Sequence, residues 1–441
     1  MNFKIIFHQP LRMILVLVLI FSFSKSFGQK PVFQNENIFP LQGDHTHGST
    51  IVELPNGDLL VGWFQGSGER WADDVKIMGA RKKRGAKEWS KPFVLADVKD
   101  FPDCNPILFM DTKNRLWLMW YTVLANQWET SLIKYRISED YSNMAGSPKW
   151  NWQSDLHVKP GGKAERGILP DNPFVTSIKN QLDAYAKYMQ STPGQNFNQT
   201  QWDRFAERTL SKARGEDMMK EGWIFNADSS KHDVVQLGYP YFQRMGWQTK
   251  HKPFTTKTGR IIIPLYSDGF SFSLMAYTDD LGESWKFSTP LVGPGNIQPA
   301  IAQTKSGELV AYMRDNGGAP KRLHISRSSD DGATWSNVQD TDIPNPGAGA
   351  DIVTLKNGNW VLIYNDIESG RYKLSVALSE DEGKTWGWHK RIEDGVAPLS
   401  AHYPAIVQGK DGLLQISYSY FTEKGKTIRY AVLNEAWIKS K

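Results

Sequence analysis

The sequence predicts an all-β fold, a six-bladed β-propeller interrupted by one partly helical insertion. Two repeated features carry this expectation. Six polar hairpin turns lie between apolar strands, and a tryptophan-ended segment recurs about every 50 residues. Length and composition agree. The chain has 441 residues, 40% hydrophobic and 12% aromatic, with 17 tryptophans, more than one small core needs and enough for a single toroid. The 37 glycines and 23 prolines suit a fold with many turns.

Residues 1–28 read as an export segment. Lys4 and Arg12 precede the apolar run Met13–Phe21, and Ser26-Phe27-Gly28 offers small residues for a cut before Gln29. That run is short of the roughly 20 apolar residues a membrane helix requires. No stable membrane insertion is expected after cleavage, and the protein is expected in the periplasm or outside the cell. The single cysteine, Cys104, excludes an internal disulfide framework and a four-cysteine zinc site.

The six turns are Pro55–Asp58, Thr112–Arg115, Lys257–Arg260, Lys305–Glu308, Lys356–Asn359 and Lys410–Leu413. In each, a glycine or asparagine can take the positive φ of a tight hairpin. Strand-forming runs follow, such as Leu59–Phe64, Leu116–Tyr121 and Trp360–Tyr364. Downstream, Thr278–Trp285 recurs as Ser328–Trp335 and Ser379–Trp386. Its aspartate can accept turn N–H groups, its glycine permits the turn, and its tryptophan fills space between strands. These aspartates are expected to hold the fold rather than perform chemistry. Weaker copies stand at Ala80–Trp89 and Ser138–Trp150.

Together the two signals divide the chain into 29–155 with blades 1 and 2, an insertion over 156–247, and 248–441 with blades 3 to 6. A terminal strand is expected to close the ring against the first blade. Within the insertion, Ile178–Gln190 and Trp202–Met219 have helical periodicity, with Leu182, Tyr185, Ala186 and Met189 on one apolar face. So long an insertion is not a bare loop; it reads as a lid or side wall of the mouth, or as a peripheral decoration.

The three tryptophan-ended segments resemble the Asp-boxes of sialidases and related glycan-active propellers, and the resemblance covers everything outside the export segment and the insertion. It implies an arginine cluster for a substrate carboxylate, a tyrosine nucleophile assisted by a glutamate, and an aspartate acid/base. Gly66–Val75 resembles the acid/base segment, which makes Glu69, Asp73 and Asp74 candidates. Met313-Arg314 resembles a later arginine of the cluster, and Ala401-His402-Tyr403 resembles the strand of the nucleophile. The first blade departs from the pattern: His45-Thr46-His47-Gly48-Ser49 stands where an Arg-Ile-Pro motif belongs. In this it is more similar to divergent propeller glycosidases and uronate-active lyases, where histidine and tyrosine act near a sugar acid.

Blade-opening segments converge on a propeller axis, and several here set a polar residue before a proline: Asn105-Pro106, Lys252-Pro253, Gln298-Pro299 and Tyr403-Pro404. Proline restricts its predecessor, so such a side chain is held rigidly. The candidate catalytic residues are therefore His47, Glu69, Asp73, Asp74 and Tyr403. The candidate substrate-binding residues are His45, Arg70, Asp103, Arg244, Lys250, Lys252, Gln298, Arg314, Asp351 and His402. Arg70 and Arg314 have the forked geometry that clamps a carboxylate. His45 and His47 share a strand face and could relay a proton, bind a metal, touch a sugar, or serve only as hydrogen-bonding supports. No spacing completes a metal site, and neither metal nor cofactor is expected.

Three functions fit. The first is a glycoside hydrolase cleaving a terminal sugar at or next to an acidic sugar. The others are a lyase acting on a uronate-containing glycan and a noncatalytic glycan-binding propeller. The expected partner is an oligosaccharide or polysaccharide, anionic in character. No phosphate-binding loop, serine elbow or zincin helix is present. The net charge of +5 includes the export segment and the run Lys82-Lys83-Arg84, a solvated turn, so no nucleic-acid partner is expected.

Overall fold

The computed structural model describes residues 29–142, 146–161, 172–193, 197–214 and 241–440. Residues 1–28, the expected export segment, and the C-terminal part of the second expected helix lie outside them. Six antiparallel sheets form the blades. Their innermost strands, in order from blade 1 to blade 6, are His45–Glu53, Asp103–Met110, Trp247–Thr249, Asn296–Gln303, Asp351–Thr354 and Ser400–Gln408. Second strands such as Leu116–Val123 and Ile261–Ser267 are buried at every residue, because blades on either side cover both faces.

The N-terminus closes the ring. Phe33–Asn37 pairs antiparallel with Gly425–Leu433 and so supplies the outermost strand of blade 6. This corrects the expectation of a closing strand on the first blade. Beyond Leu433 the chain forms the short helix Glu435–Lys439, whose Trp437 stacks on Phe33 at 4.3 Å. The closing strand was illegible because its sequence is mostly polar and short, and its partner lies at the far end of the chain. Joining both ends in one sheet leaves the ring without a seam that could open.

All six expected hairpins turn through a left-handed residue: Gly57, Asn114, Gly259, Gly307, Gly358 and Gly412. The three boxes share one geometry. The leading hydroxyl of Thr278, Ser328 or Ser379 donates to the aspartate two residues on at 2.7–2.8 Å. The same hydroxyl accepts the glycine N–H four residues on at 2.8–2.9 Å. Hydrogen bonds led by the Ser284 hydroxyl and by the Thr385 N–H hold Asp280 and Asp381 down to about 2.

Each box also presses on the blade before it. A Cβ added to Gly282 would lie 2.5 Å from Trp117, and one on Gly332 would lie 2.7 Å from Ile262. Arg115 donates to the Leu281 carbonyl at 3.0 Å and Arg260 to the Asp331 carbonyl at 2.9 Å. The boxes are latches between neighbouring blades, at the end of the ring where the first hairpins turn.

The opposite end is the mouth. Register pairs His45↔Gly66, Asp103↔Thr122 and Asn296↔Asp315 set the start of each inner strand beside the end of the second, so the loops that follow second strands form the rim. The insertion carries two helices, α1 (Pro173–Ser191) and α2 (Gln199–Arg214). Phe174 of α1 packs on Trp247, Phe270 and Phe272, and Lys212 of α2 donates to the Gly269 carbonyl at 2.7 Å. The pair therefore stands against the rim of blade 3. Leu182 and Tyr185 face inward as their spacing requires, with Tyr185 4.7 Å from Trp202. Among the described residues no helix is long and apolar enough to cross a membrane.

Gly332→Ala is expected to destabilise the fold by about 1–3 kcal/mol, read by chemical denaturation, through left-handed strain and the Ile262 contact. A second expectation concerns pH. His324 is buried between Asp340 at 2.8 Å and Asp315 at 3.4 Å. Burial pulls its pKa down, but those carboxylates prevail and lift it to about 9. Its contribution is then complete below its ordinary pKa near 6.5 and is lost as pH rises through about 9. Wild type should lose on the order of 2–3 kcal/mol relative to His324→Gln across that window, by unfolding at a series of pH values.

Candidate functional site

Four inner strands break their ladder as they enter the mouth. The register slips between His47 and Thr50, Cys104 and Ile107, Ile297 and Ala300, and His402 and Ala405. Each slip is a bulge around one left-handed residue: Gly48 (φ 65°), Asn105 (44°), Gln298 (56°) or Tyr403 (54°). Three of these precede prolines 106, 299 and 404. A bulge re-aims a side chain, and a bulky residue such as tyrosine holds this conformation only where its surroundings enforce it.

The bulged residues meet around the axis. Asn105 Nδ2 donates to the Tyr121 and Tyr266 hydroxyls at 3.1 and 3.3 Å, and Gln298 Nε2 donates to the Tyr403 hydroxyl at 3.3 Å. Gly48 must lack a side chain, since a Cβ there would lie 2.6 Å from Asn105 Oδ1.

Three histidines gather beside Tyr403. His47 stacks on its ring at 4.4 Å, His402 lies 4.7 Å from His47, and His45 lies 5.5 Å from His47. Phe421 packs against all three, and Phe64 against His45 and His47. Ser419 Oγ lies 2.9 Å from His47 Nδ1 and accepts the Gly48 N–H at 3.1 Å, and Ser400 Oγ lies 2.8 Å from His402 Nδ1. Burial, reinforced by neighbouring cations, pushes His47 and His402 well below the usual histidine range, so both rings are neutral near pH 7. His45 Nε2 meets Glu69 Oε1 at 3.2 Å.

Cations surround the same tyrosine. Arg314 donates to its hydroxyl at 2.8 Å, Lys250 Nζ lies 5.2 Å from its ring centre and the Arg371 guanidinium 5.4 Å from it. The two guanidinium groups meet at Gly347. Arg371 donates to its carbonyl at 2.7 Å, and a Cβ there would lie 3.9 Å from Arg314 Nε. Among the described residues, no carboxylate comes within 4 Å of Arg314, Arg371 or Lys250. Burial draws the Lys250 ammonium down to about 8, against the pull of Asp351.

The structure thus brings together His45, His47, Glu69, Lys250, Gln298, Arg314, His402 and Tyr403. It sets the other candidates elsewhere. Asp73 and Asp74 are exposed on the rim, Asp74 accepting the Ser67 N–H at 3.0 Å and its hydroxyl at 2.8 Å. Arg70 lies on the same rim between Trp71 and Trp128. Asp103 is buried in blade 2, accepting from Trp120, Thr122 and the Val98 N–H, and burial raises it to about 6. Lys252 donates to both Asp351 oxygens at 2.7 Å while Asp351 accepts the Ile406 N–H at 2.9 Å, a knot tying blades 3, 5 and 6. Arg244 ends the short helix Tyr241–Arg244 near the end of the insertion, where its charge acts on His157.

Two residues at the mouth escaped the sequence reading. Arg371 lies in the blade 5 rim loop, and Asp268 follows the second strand of blade 3, half-buried, raised by burial and opposed first by Arg314. The available signal was positional: residues just after the aromatic end of each second strand line the mouth. Among the described residues no group of three or more His, Cys, Asp or Glu is placed to hold a metal ion. A cleft of about 820 Å³ does exist at the seam of blades 1 and 6, lined by Glu36, Lys82, Lys83, Arg84 and Lys410 among others. It opens at the end remote from the mouth, and Lys82 there is paired with Glu36.

The fold is shared with solved structures. A protein of unknown function from Dyadobacter fermentans superposes with TM-score 0.60 at 14% identity, over 91% of this chain and 99% of that one. An intramolecular trans-sialidase from Ruminococcus gnavus gives 0.57 at 14% identity, over 92% and 98%. A Trypanosoma rangeli sialidase gives 0.58 at 11% identity, over 91% and 59%. Identities this low speak for the fold alone. No curated protein sequence matches significantly. The sequence pattern described as the BNR repeat-like domain matches residues 57–209 and 196–416, nearly the whole ring. The chain belongs to the BNR repeat-like domain family.

Proposed function

We propose that the mouth binds and cleaves an acidic glycan, with the sugar carboxylate held by Arg314, Arg371 and Lys250. One observation carries this reading: three cations converge on Tyr403 without a carboxylate partner. Charges removed from water require compensation, and an incoming carboxylate supplies it. Where a first-blade arginine is missing, a third cation arrives from blade 3. The sialidases among the structural neighbours make a sugar acid a natural ligand for such a mouth.

Hydrolysis is the reading that uses most of the site. The Tyr403 oxygen bonds to the anomeric carbon as the glycosidic C–O bond breaks, and Glu69 protonates the leaving oxygen. The phenolic proton passes to a neutral imidazole, His47 or His402. Water then displaces Tyr403 with Glu69 as base, which releases the sugar with retained configuration. A second reading, elimination from a uronate, is favoured by the neutral His47 stacked on Tyr403. There neutral His47 removes the proton α to the neutralised carboxylate, the C4–O bond breaks to leave a double bond, and the Tyr403 hydroxyl protonates the departing oxygen.

The export segment makes the periplasm or the cell exterior the proposed location. Cell fractionation with an antibody to the mature chain tests this, and cytoplasmic retention of the full-length protein would overturn it.

A screen against sialosides and uronate-containing polysaccharides tests the function. Hydrolysis yields a new reducing end without unsaturation, whereas elimination yields absorbance near 235 nm. On whichever substrate responds, Tyr403→Phe and Arg314→Met are expected to lower kcat/KM about 10²–10³-fold. Full turnover in both would refute the site. Affinity for an anion such as glucuronate should fall about tenfold as pH rises through about 8, because Lys250 loses its charge there. Calorimetric titration at pH 6.5 and 9 reads this, and Lys250→Met should flatten the difference.

A further inference from the structure

We infer that Trp71, backed by Arg70, forms a stacking subsite on the rim of blade 1 for a neutral pyranose adjoining the acidic sugar; this rests on the acidic-glycan reading above. Trp63, Trp117, Trp120, Trp247 and Trp360 are fully buried, whereas Trp71, Trp152 and Trp388 are exposed, and of these three Trp71 is the most exposed, at 61%, and the one on the mouth rim. Leaving most of an indole in water forgoes its burial energy, and such a residue at the edge of a polar mouth is suited to a ligand face.

The indole is held in place. Gly68 lies against it, so that a Cβ there would sit 2.6 Å from Trp71 Nε1. The Arg70 guanidinium lies 5.3 Å from the Trp71 ring centre and 5.1 Å from that of Trp128, which couples the loop to blade 2. Asn126 Nδ2 donates to the Arg70 carbonyl at 2.8 Å, and Asp74 closes the loop on Ser67. A face ordered before binding loses little entropy when it is covered.

Position and charge select the occupant. Glu69, whose carboxylate reaches His45 in the cluster, is separated from Trp71 by Arg70 alone, so the platform adjoins the site. Asp73 and Asp74 are exposed on the same loop. Their charge repels a second acidic sugar, while Asp73 can accept hydroxyl hydrogens from a neutral one. The pyranose C–H face then lies on the indole, and the ligand class narrows to glycans in which a neutral sugar neighbours the acid.

Affinity electrophoresis of the full chain tests this. The gels contain hyaluronan or gum arabic as mixed polymers, alginate as an all-uronate polymer, or sialylated mucin. Wild type, Trp71→Ala, Trp71→Phe and Arg314→Met are compared, with melting temperature as the folding control. Stronger retardation by a mixed polymer or mucin than by alginate is expected. Trp71→Ala should weaken that binding at least about tenfold, and Trp71→Phe should restore most of it. Wild-type binding in Trp71→Ala with loss in Arg314→Met overturns the subsite and leaves the mouth reading standing. The reverse pattern overturns the mouth reading and leaves the stacking face. Equal retardation by alginate overturns the neutral-sugar assignment, and no retardation by any polymer overturns both readings.

Discussion

At the mouth, four of six inner strands leave regular β geometry at the same level, and each places a left-handed residue on the axis. Nothing else in the ring does as much to set the chemistry. A regular strand would alternate its side chains between blade faces and direct none of them squarely at its neighbours across the channel. The slip turns Asn105, Gln298 and Tyr403 toward one another, and Gly48 leaves the room they need. Left-handed geometry at a tyrosine costs on the order of 1–3 kcal/mol. The closed ring supplies it, because the boxes lock blades 3, 4 and 5 to their predecessors and the N-terminal strand completes the last blade.

Polarity divides between the two ends of the ring. The boxes occupy one end, where hydroxyls and backbone N–H groups satisfy the turn aspartates. At the other end, polar groups are incompletely paired. His251 is buried with neither ring nitrogen hydrogen-bonded, and Arg314 Nε is likewise without an acceptor. Buried polar atoms are normally satisfied, so such a cluster is the part of the molecule prepared for something to enter.

The arrangement around Tyr403 differs from an arginine-only carboxylate clamp in a way that bears on pH. Two guanidinium groups keep their charge at any physiological pH, whereas the lysine beneath the ring does not. The histidines beside it are neutral for the opposite reason: burial and the same cations discourage a further positive charge. On the proposed function, this lets the mouth hold an anion with an uncharged proton acceptor next to it.

Periodicity made the architecture legible from residues alone. A turn that requires a left-handed glycine and a box that requires aspartate, glycine and tryptophan at set intervals are local demands, and local demands leave marks at fixed spacing. The X-Pro pairs at 105, 298 and 403 marked three of the four bulges for the same reason. Other features depended on where the chain goes in space. Phe33–Asn37 becomes a strand only because Gly425–Leu433, almost 400 residues away, offers an unpaired edge. Asp103 and Asp351 resemble site residues by position, yet their oxygens are consumed by Trp120, Thr122, Lys252 and the Ile406 N–H, partners no local pattern names. Arg371 reaches Tyr403 from a different blade, and Asp74 turns back onto its own loop. Which polar groups meet across a channel is settled by distance between blades, and spacing along a chain does not encode it.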